Sequence, residues 1–117
     1  MEPIDMHRVQ EILDTFVNKD VYIHIETTNG AYASHFDHRA YNVGAYVRNA
    51  KVRFSRAKLV GNGNVYRAGL KMADGWIYAE GLTDWTMHDD TKLLLAGHDR
   101  EGRLMVSLQI GTTPFDH

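Results

Sequence analysis

The sequence predicts a mainly β protein in which an N-terminal amphipathic helix packs on a curled antiparallel sheet or a small, partly open barrel. Two observations support this fold class. Apolar residues follow a helical spacing only up to about Asn18, and beyond Lys19 short alternating segments are separated by turns that contain glycine or asparagine. The chain of 117 residues has no linker, internal repeat or second composition regime, so one domain over residues 1–117 is expected.

The helix is predicted over about residues 3–18. Its apolar side chains recur at positions i, i+3, i+4, i+7 and i+8, namely Val9, Ile12, Leu13, Phe16 and Val17. Pro3 fits the first turn, because its missing N–H has no intrahelical partner there. One face of the helix is therefore apolar and is expected to cover the sheet.

Two later hairpins have self-consistent faces when their turns are taken as two-residue loops at Asp74–Gly75 and at Glu101–Gly102. Each register brings apolar side chains together on one face of the hairpin. The predicted pairs are Met72–Ile77 and Leu70–Ala79 in the first hairpin, and Leu93–Ile110, Leu95–Leu108 and Gly97–Val106 in the second. This agreement is the reason for predicting antiparallel strands in this half of the chain.

An earlier hairpin is predicted at Asn29–Gly30, where a type I′ turn places His24 opposite His35, with Glu26 on the same face. Imidazole and carboxylate groups at such spacing can bind zinc or act as acid and base. A solvated polar face produces the same alternation, and no family-type ligand spacing supports a metal site. His24, His35 and Glu26 are therefore candidate catalytic residues, and His24 and His35 candidate metal ligands, beside the simpler interpretation of a polar surface.

Charge is segregated along the chain. Between His38 and Ala73 there is no Asp or Glu, while eight of the 13 basic residues fall there, although the net charge is only −2. A β-bulge near Ser55 would turn four basic side chains outward as one cationic strip. The predicted ligand-binding residues are those of the strip, Lys51, Arg53, Arg56 and Lys58, with the aromatic side chains of Tyr46 and Tyr66.

Three partners fit such a strip. It can hold a small anionic metabolite, pair with acidic residues of this chain or of a second subunit, or bind the phosphates of a nucleic acid. A sequence pI near 6.4 and the lack of a recognisable RNA- or DNA-binding motif disfavour nucleic acid. A small anion or an acidic protein surface is the expected partner.

The polar stretch from Thr83 to Thr91 lies between the two later hairpins. It is predicted to be a connection whose Asp and Thr side chains satisfy backbone donors in turns. The alternative is a functional loop with His88 and Asp89 at the rim of a pocket. The segment Gly97–His98–Asp99 is interpreted in the same way, and the last residues, from Gly111 onward, are expected to form an extended arm.

Several function classes lack support in the sequence. The chain has no cysteine, which excludes disulfides and thiolate chemistry. Neither a secretory signal nor an apolar run long enough to cross a membrane is visible, so a cytoplasmic protein is expected. Ser34 and Ser55 lack the context of a hydrolase nucleophile, and the glycines near Gly61 lack the pattern of a phosphate-binding loop. We expect no cofactor.

Four segments resemble the YojF-like family, small uncharacterised proteins of Gram-positive bacteria. They are Pro3–Val17, Asn42–Asn49, Trp76–Trp85 and Leu93–Asp99, and together they span nearly the whole chain. The resemblance implies a compact, mainly β fold with a barrel-like sheet and supplies no catalytic residues. Members of the family are sometimes encoded next to a deacetylase in the synthesis of a glucosamine–malate thiol. That setting implies an accessory protein that binds an anionic sugar-acid metabolite or the neighbouring enzyme.

The sequence thus favours a non-catalytic binding or accessory module for a small anionic ligand or an acidic partner surface. One alternative is a small metal- or acid/base-dependent enzyme that uses the histidine-bearing hairpin. Another is a purely structural or assembly protein. A homodimer is expected, because two-fold dimers are the commonest oligomers and short sheets leave edges that a partner can cover.

Overall fold

The computed structural model describes residues 1–29 and 43–116. In this part the chain forms one helix and nine strands. They are β1 (Glu2–Pro3), α1 (Met6–Asp14), β2 (Val21–Thr28), β3 (Gly44–Val52), β4 (Arg56–Gly61), β5 (Tyr66–Lys71), β6 (Trp76–Leu82), β7 (Asp84–His88), β8 (Lys92–His98) and β9 (Leu104–Gly111). No helix among the described residues is long and apolar enough to cross a membrane.

The strands form two antiparallel sheets. The larger has six strands in the order β1-β7-β8-β9-β2-β3, and the smaller has three in the order β4-β5-β6. Strand β6 packs against β8 and β9, and α1 packs against β4. The sheets are curled and, within residues 1–29 and 43–116, do not close into a barrel, so the predicted fold class is confirmed.

The helix is shorter than predicted. It begins at Met6, after Asp5, whose side chain accepts a hydrogen bond from the backbone N–H of Arg8 at 3.1 Å. Pro3 does not belong to the first turn, because Glu2 and Pro3 pair with β7 as an edge strand. The apolar face is as predicted: Val9, Ile12, Leu13 and Phe16 are buried.

The core lies between the two sheets and under the helix. It contains the inward side chains of both sheets, including Phe54, Leu70, Leu82, Leu93, Leu95, Leu108 and Ile110. Tyr66 is also part of this core, with only 6% of its surface exposed. The prediction that Tyr66 offers a ring to a ligand is therefore wrong.

The last hairpin has the predicted register, with Leu93 opposite Ile110 and Leu95 opposite Leu108. The preceding one is displaced by two residues. Leu70 pairs with Ile77 instead of Ala79, and Met72 donates its N–H to the carbonyl of Gly75 at 2.8 Å. A shift by two keeps every side chain on its predicted face, so the apolar side is unchanged.

The predicted hairpin at Asn29–Gly30 does not have the expected register. His24 pairs with Arg48 of β3 on one side and with Gln109 of β9 on the other, so both sheet positions beside it are taken. The pairing of His24 with His35 is therefore wrong. His35 itself lies outside the described residues, as do all residues from Gly30 to Asn42.

The single cationic strip is also wrong. Strand β3 ends at Val52, and β4 begins at Arg56 in the other sheet. Between them Phe54 is fully buried, and Ser55 donates its N–H to Lys71 at 2.8 Å. The change of side-chain parity near Ser55 marks a corner between two sheets instead of a bulge within one strand.

Candidate functional site

The outer face of the six-stranded sheet, turned away from the core, carries most of its polar side chains in transverse rows. Residues paired across neighbouring strands point to the same face. The pairings give three rows: Lys51–Tyr22–Gly111–Lys92–His88, then Arg48–His24–Gln109–Leu94–Thr86, then Tyr46–Glu26–Ser107–Ala96–Asp84. This face therefore combines cations, carboxylates, amides and two histidines from five strands.

His24 lies in the middle of this face and is 7% exposed. Its Nε2 lies 3.0 Å from Glu26 Oε1. Because a carboxylate oxygen only accepts hydrogen bonds, the Nε2–H group is the donor in this pair. Its Nδ1 is buried and has no hydrogen-bond partner in the described part of the chain. The ring of Tyr46, itself largely exposed, lies 6.4 Å from the imidazole. The sequence thus correctly placed His24 and Glu26 on one face.

The tail after β9 is held on this sheet by Asn49. Asn49 is the extra residue of a β-bulge in β3 and has a φ of 57°. Its Nδ2 donates to the carbonyl of Phe115 at 2.7 Å, and its Oδ1 accepts from the N–H of Phe115 at 2.6 Å. The side-chain amide thus pairs with the tail as a neighbouring strand would, so the expected arm is held against the sheet at Phe115.

Phe115 is only 7% exposed and packs where Gly111 leaves room on the sheet. A Cβ atom at Gly111 would lie 3.4 Å from Phe115 Cζ. Arg48 and Lys92 each lie 5.6 Å from the centre of the Phe115 ring, measured from Cζ and Nζ. The tail therefore gathers two cations around one aromatic side chain.

These residues form an open cavity of about 460 Å³, which we call the tail cavity. Its wall includes Arg48, His88, Asp89, Lys92, Gln109 and Phe115. Arg48 has no carboxylate within 4.0 Å among the described residues, whereas Lys92 donates to the Thr113 hydroxyl at 2.9 Å. Both cations retain N–H groups for a further acceptor.

Two carboxylates also line the tail cavity. Asp89 is paired with His88, since its Oδ2 lies 3.0 Å from His88 Nε2, and Asp116 is exposed at the end of the tail. His88 and Asp89 thus lie at a cavity rim, as the alternative interpretation of the polar stretch proposed. The stretch itself is strand β7 followed by a turn, because Asp84 to His88 pair with β8.

The four residues of the predicted strip lie in two places. Lys51 and Arg53 share Asp20, with nitrogen-to-oxygen distances of 3.9 Å and 3.1 Å. Arg56 and Lys58 are exposed on the outer face of the three-stranded sheet. Half of the strip is therefore paired within the chain, and the other half belongs to a different surface.

A third group of polar residues lies where one end of the large sheet meets β6. His98 Nδ1 lies 3.0 Å from Asp84 Oδ1, and the hydroxyl of Thr83 donates to the same oxygen. The bond from Thr83 lowers the pKa of Asp84 most, burial opposes this, and His98 lowers it further. A histidine oriented by a carboxylate in this way is the arrangement found in acid/base pairs.

His98 of this pair lines a cavity of about 610 Å³, which we call the inter-sheet cavity. Its lining is largely apolar and comes from Ile25, Val65, Ala79, Met105 and Val106, with Glu80 and His98 among the polar side chains. Sequence reasoning treated His98 as part of a turn. The sequence does not predict this pair because the segment from Thr83 to Thr91 is interpreted there as a connection, whereas the structure pairs β7 with β8.

Metal binding finds no further support among the residues described. In residues 1–29 and 43–116 there is no group of three or more His, Cys, Asp or Glu placed to hold a metal ion. His24 and Glu26 remain a two-residue pair there, and the proposed ligand His35 lies outside that part.

Comparison with known proteins gives one consistent result. A family model described as "Protein of unknown function (DUF1806)" matches residues 3–115. The chain is 49% identical over 115 residues to the "Uncharacterized protein YojF" of Bacillus subtilis (strain 168), which covers 98% of each sequence. It is also similar to the crystal structure of Bacillus subtilis YojF, with a TM-score of 0.81 and 44% identity over 99% of this chain and 97% of that one. The resemblance inferred from the sequence is confirmed.

Proposed function

The chain belongs to the DUF1806 family of proteins of unknown function, and we propose that it is a non-catalytic binding module that takes a small anionic ligand in the tail cavity. One observation supports this most directly: Arg48 of β3 and Lys92 of β8, on the same face of the sheet, converge on Phe115 at the wall of one concave site. Arg48 binds carboxylate or phosphate through two parallel N–H groups, and Lys92 adds a second positive charge.

The other side chains of the tail cavity favour a ligand that carries polar groups in addition to its carboxylate or phosphate. Gln109 adds an amide that both donates and accepts hydrogen bonds, and Phe115 adds an apolar wall. Asp89, one of the two carboxylates of the cavity wall, has a partner of its own in His88. A phosphorylated or carboxylated metabolite with hydroxyl groups fits this combination.

The test is thermal unfolding with glucose 6-phosphate, malate and inorganic phosphate. A ligand at about a hundred times its Kd stabilises by roughly 2.7 kcal/mol, which raises the Tm of a domain of this size by on the order of 10 °C. Arg48→Met and Lys92→Met keep the apolar stems and remove the charges. In the double variant we expect the shift to disappear.

The matched control is the double variant Lys51→Met, Arg53→Met, which removes the two cations paired with Asp20. It should keep the full shift. If the control loses the shift and the Arg48, Lys92 variant keeps it, the ligand binds at the Asp20 corner and the tail cavity is not the site. If none of the three anions shifts the Tm at millimolar concentration, the proposed function is wrong.

A second candidate function is acid/base catalysis, favoured by the bond between His98 Nδ1 and Asp84 beside the apolar inter-sheet cavity. This candidate replaces the His24–His35 hairpin as the enzymatic alternative. Its test is turnover of a panel of activated acyl and phosphoryl esters. Activity that is lost in a folded His98→Gln variant supports it, and activity that His98→Gln leaves unchanged belongs to a contaminant or another site.

Association with a neighbouring metabolic enzyme and formation of a homodimer are further proposals. Among residues 1–29 and 43–116, β3 is the last strand on one side of the larger sheet, and it exposes Tyr46 and Val47. An exposed edge with apolar side chains can be covered by a second strand. Light scattering after size-exclusion chromatography measures the mass directly, and a mass near 13.3 kDa over the working concentration range would exclude the homodimer.

A further inference from the structure

The outer face of the three-stranded sheet, which we call the basic face, is strongly cationic. The pairings align its side chains in rows across the sheet, Arg56–Lys71–Trp76 and Lys58–Gly69–Tyr78, with Val60 beside Arg67 in the next. Cations therefore lie on the β4 side and aromatic rings on the β6 side. Glu80 is the only carboxylate that pairs with a cation of this face among the residues described.

The rings of Trp76 and Tyr78 stack against each other over the central strand, where Gly69 leaves room for Tyr78. A Cβ atom at Gly69 would lie 2.9 Å from Tyr78 Cε1 and 3.5 Å from Trp76 Cε3. The ring planes differ by 8° and their centres are 5.4 Å apart. Trp76 is 41% exposed and Tyr78 50%, so the stacked pair still presents ring surface to solvent.

The cations beside the rings are largely free of internal partners. Arg67 Cζ lies 5.3 Å from the centre of the Tyr78 ring. Its Nη1 lies 3.5 Å from Glu80 Oε1, and because both side chains are exposed this ion pair is weak. Arg56, Lys58 and Lys71 have no carboxylate within 4.0 Å in the part of the chain that the structure describes. A shallow groove of about 170 Å³ runs between Arg56 and Lys58 on one side and the two rings on the other.

We infer that the basic face binds single-stranded nucleic acid, with the phosphates along Arg56, Lys58 and Lys71 and bases stacked on Trp76 and Tyr78. A row of cations beside exposed, parallel aromatic rings is the combination that single strands require, because every base has a π face and every nucleotide a negative charge. An acidic protein surface would use the cations but would leave two large rings without a planar partner.

The overall charge of the protein does not oppose this inference. Two sequence features disfavour nucleic acid. The pI near 6.4 averages over the whole chain, and the lack of a recognisable motif concerns base-specific binding, which a single-strand groove does not require. In the structure the basic face carries Arg56, Lys58, Arg67 and Lys71 against Glu80, and it is this local field that a strand meets. The binding is expected to be independent of base sequence, since no side chain here is held to read base edges.

The experiment is fluorescence anisotropy of a labelled oligothymidylate of about 12 nucleotides, within the range that a small β surface covers. Intrinsic tryptophan fluorescence is followed in parallel. We expect binding that weakens about 20- to 50-fold between roughly 50 and 200 mM NaCl, the slope for three or four phosphates on a single strand. Stacking on Trp76 should quench its emission.

Variants separate the two contributions. Arg56→Ala with Lys58→Ala should lower affinity and flatten the salt dependence, whereas Trp76→Leu should weaken binding about 5- to 150-fold and abolish the quenching. The matched control is Lys51→Ala with Arg53→Ala, the two exposed cations that share Asp20, which should change affinity less than about 2-fold.

Two results would overturn the inference. The first is equal affinity for the oligothymidylate and for poly-glutamate of the same charge without tryptophan quenching, which would make the basic face a site for an acidic protein. The second is affinity that Trp76→Leu leaves unchanged. Because these variants lie outside the tail cavity, either result leaves the proposed small-anion site untouched.

Discussion

The outer faces of the two sheets repeat one device with different results. On the larger sheet Phe115 covers Gly111 between Arg48 and Lys92, and on the smaller sheet Tyr78 covers Gly69 beside Arg67. The first ring comes from the tail and builds a wall above the sheet, whereas the second comes from the neighbouring strand and lies on it. A wall makes a concave site for a small molecule, and a flat ring makes a platform for an extended one.

The two faces also differ in charge. The tail cavity mixes Arg48 and Lys92 with Asp89 and Asp116, while the basic face sets four cations against Glu80. A site with charges of both signs at fixed positions selects ligands whose charges match that arrangement. A surface with charges of one sign selects ligands by their charge alone. The acid-free segment of the sequence therefore contributes to both surfaces without forming one strip.

The strongest test of the comparison asks whether both faces belong to one rigid body. Gly97 of β8 lies against Gly81 of β6, and a Cβ at Gly97 would collide with the Gly81 carbonyl and come within 2.6 Å of Val106 Cγ1. Gly97→Ala should therefore lower the free energy of unfolding by about 3 kcal/mol, since backbone cannot move aside as a side chain can. Urea unfolding measures the change.

Gly75→Ala is the control for this variant, because nothing lies within 4 Å of a Cβ at Gly75. It should change the free energy of unfolding by less than about 0.5 kcal/mol. A Gly97→Ala protein as stable as the control would mean that the two sheets are not held in contact at β6 and β8.

The second test removes the wall and keeps the charges. Asn49→Gly retains the left-handed backbone at this bulge and deletes both hydrogen bonds to Phe115. We expect a loss of about 1–2 kcal/mol in the free energy of unfolding and loss of anion binding in the tail cavity. Asn64→Gly, in an exposed turn, is the control for chain entropy. Anion binding that survives Asn49→Gly would show that the tail does not form the site.

The larger sheet should also respond to acid through Asp84. Hydrogen bonds from Thr83 and His98 hold the pKa of Asp84 below its ordinary value, so the stability they contribute is complete above the unfolded pKa near 3.9 and is lost as pH falls through the lower folded pKa. The urea midpoint should therefore fall from about pH 5 to about pH 3, and less steeply in Asp84→Asn. Asp74→Asn, at an exposed turn without a described hydrogen bond, should keep the wild-type slope.

Local side-chain patterns predicted most of the fold. The last hairpin was predicted pair by pair, because its apolar parity and its turn agree on one register. The helix face was correct, yet its start was displaced to Met6, since Pro3 pairs with a strand distant in sequence. Patterns within one element say nothing about which remote element covers it.

The candidate site was harder to predict from the sequence for the same reason. His24 and Glu26 were found because alternation within β2 puts them on one face. Arg48, Lys92 and Phe115 come together only because Asn49 adopts a positive φ and binds the tail, a contact that no periodicity reveals. Trp76 and Tyr78 alternate visibly, but the glycine beneath them belongs to another strand.

The smallest expected effect on stability is that of Trp76→Leu, and its comparison with Phe115→Leu distinguishes the two faces. Trp76 is 41% exposed at an edge strand, so Trp76→Leu should change the free energy of unfolding by less than about 0.5 kcal/mol. The same change on the larger face, Phe115→Leu, removes a ring that is 7% exposed and should cost about 1 kcal/mol or more. Urea unfolding of both variants measures the difference. A buried ring contributes to the stability of the fold. An exposed ring contributes little to stability, and its surface is available to a ligand. Equal losses of stability in the two variants would therefore contradict the assignment of Trp76 to a binding surface.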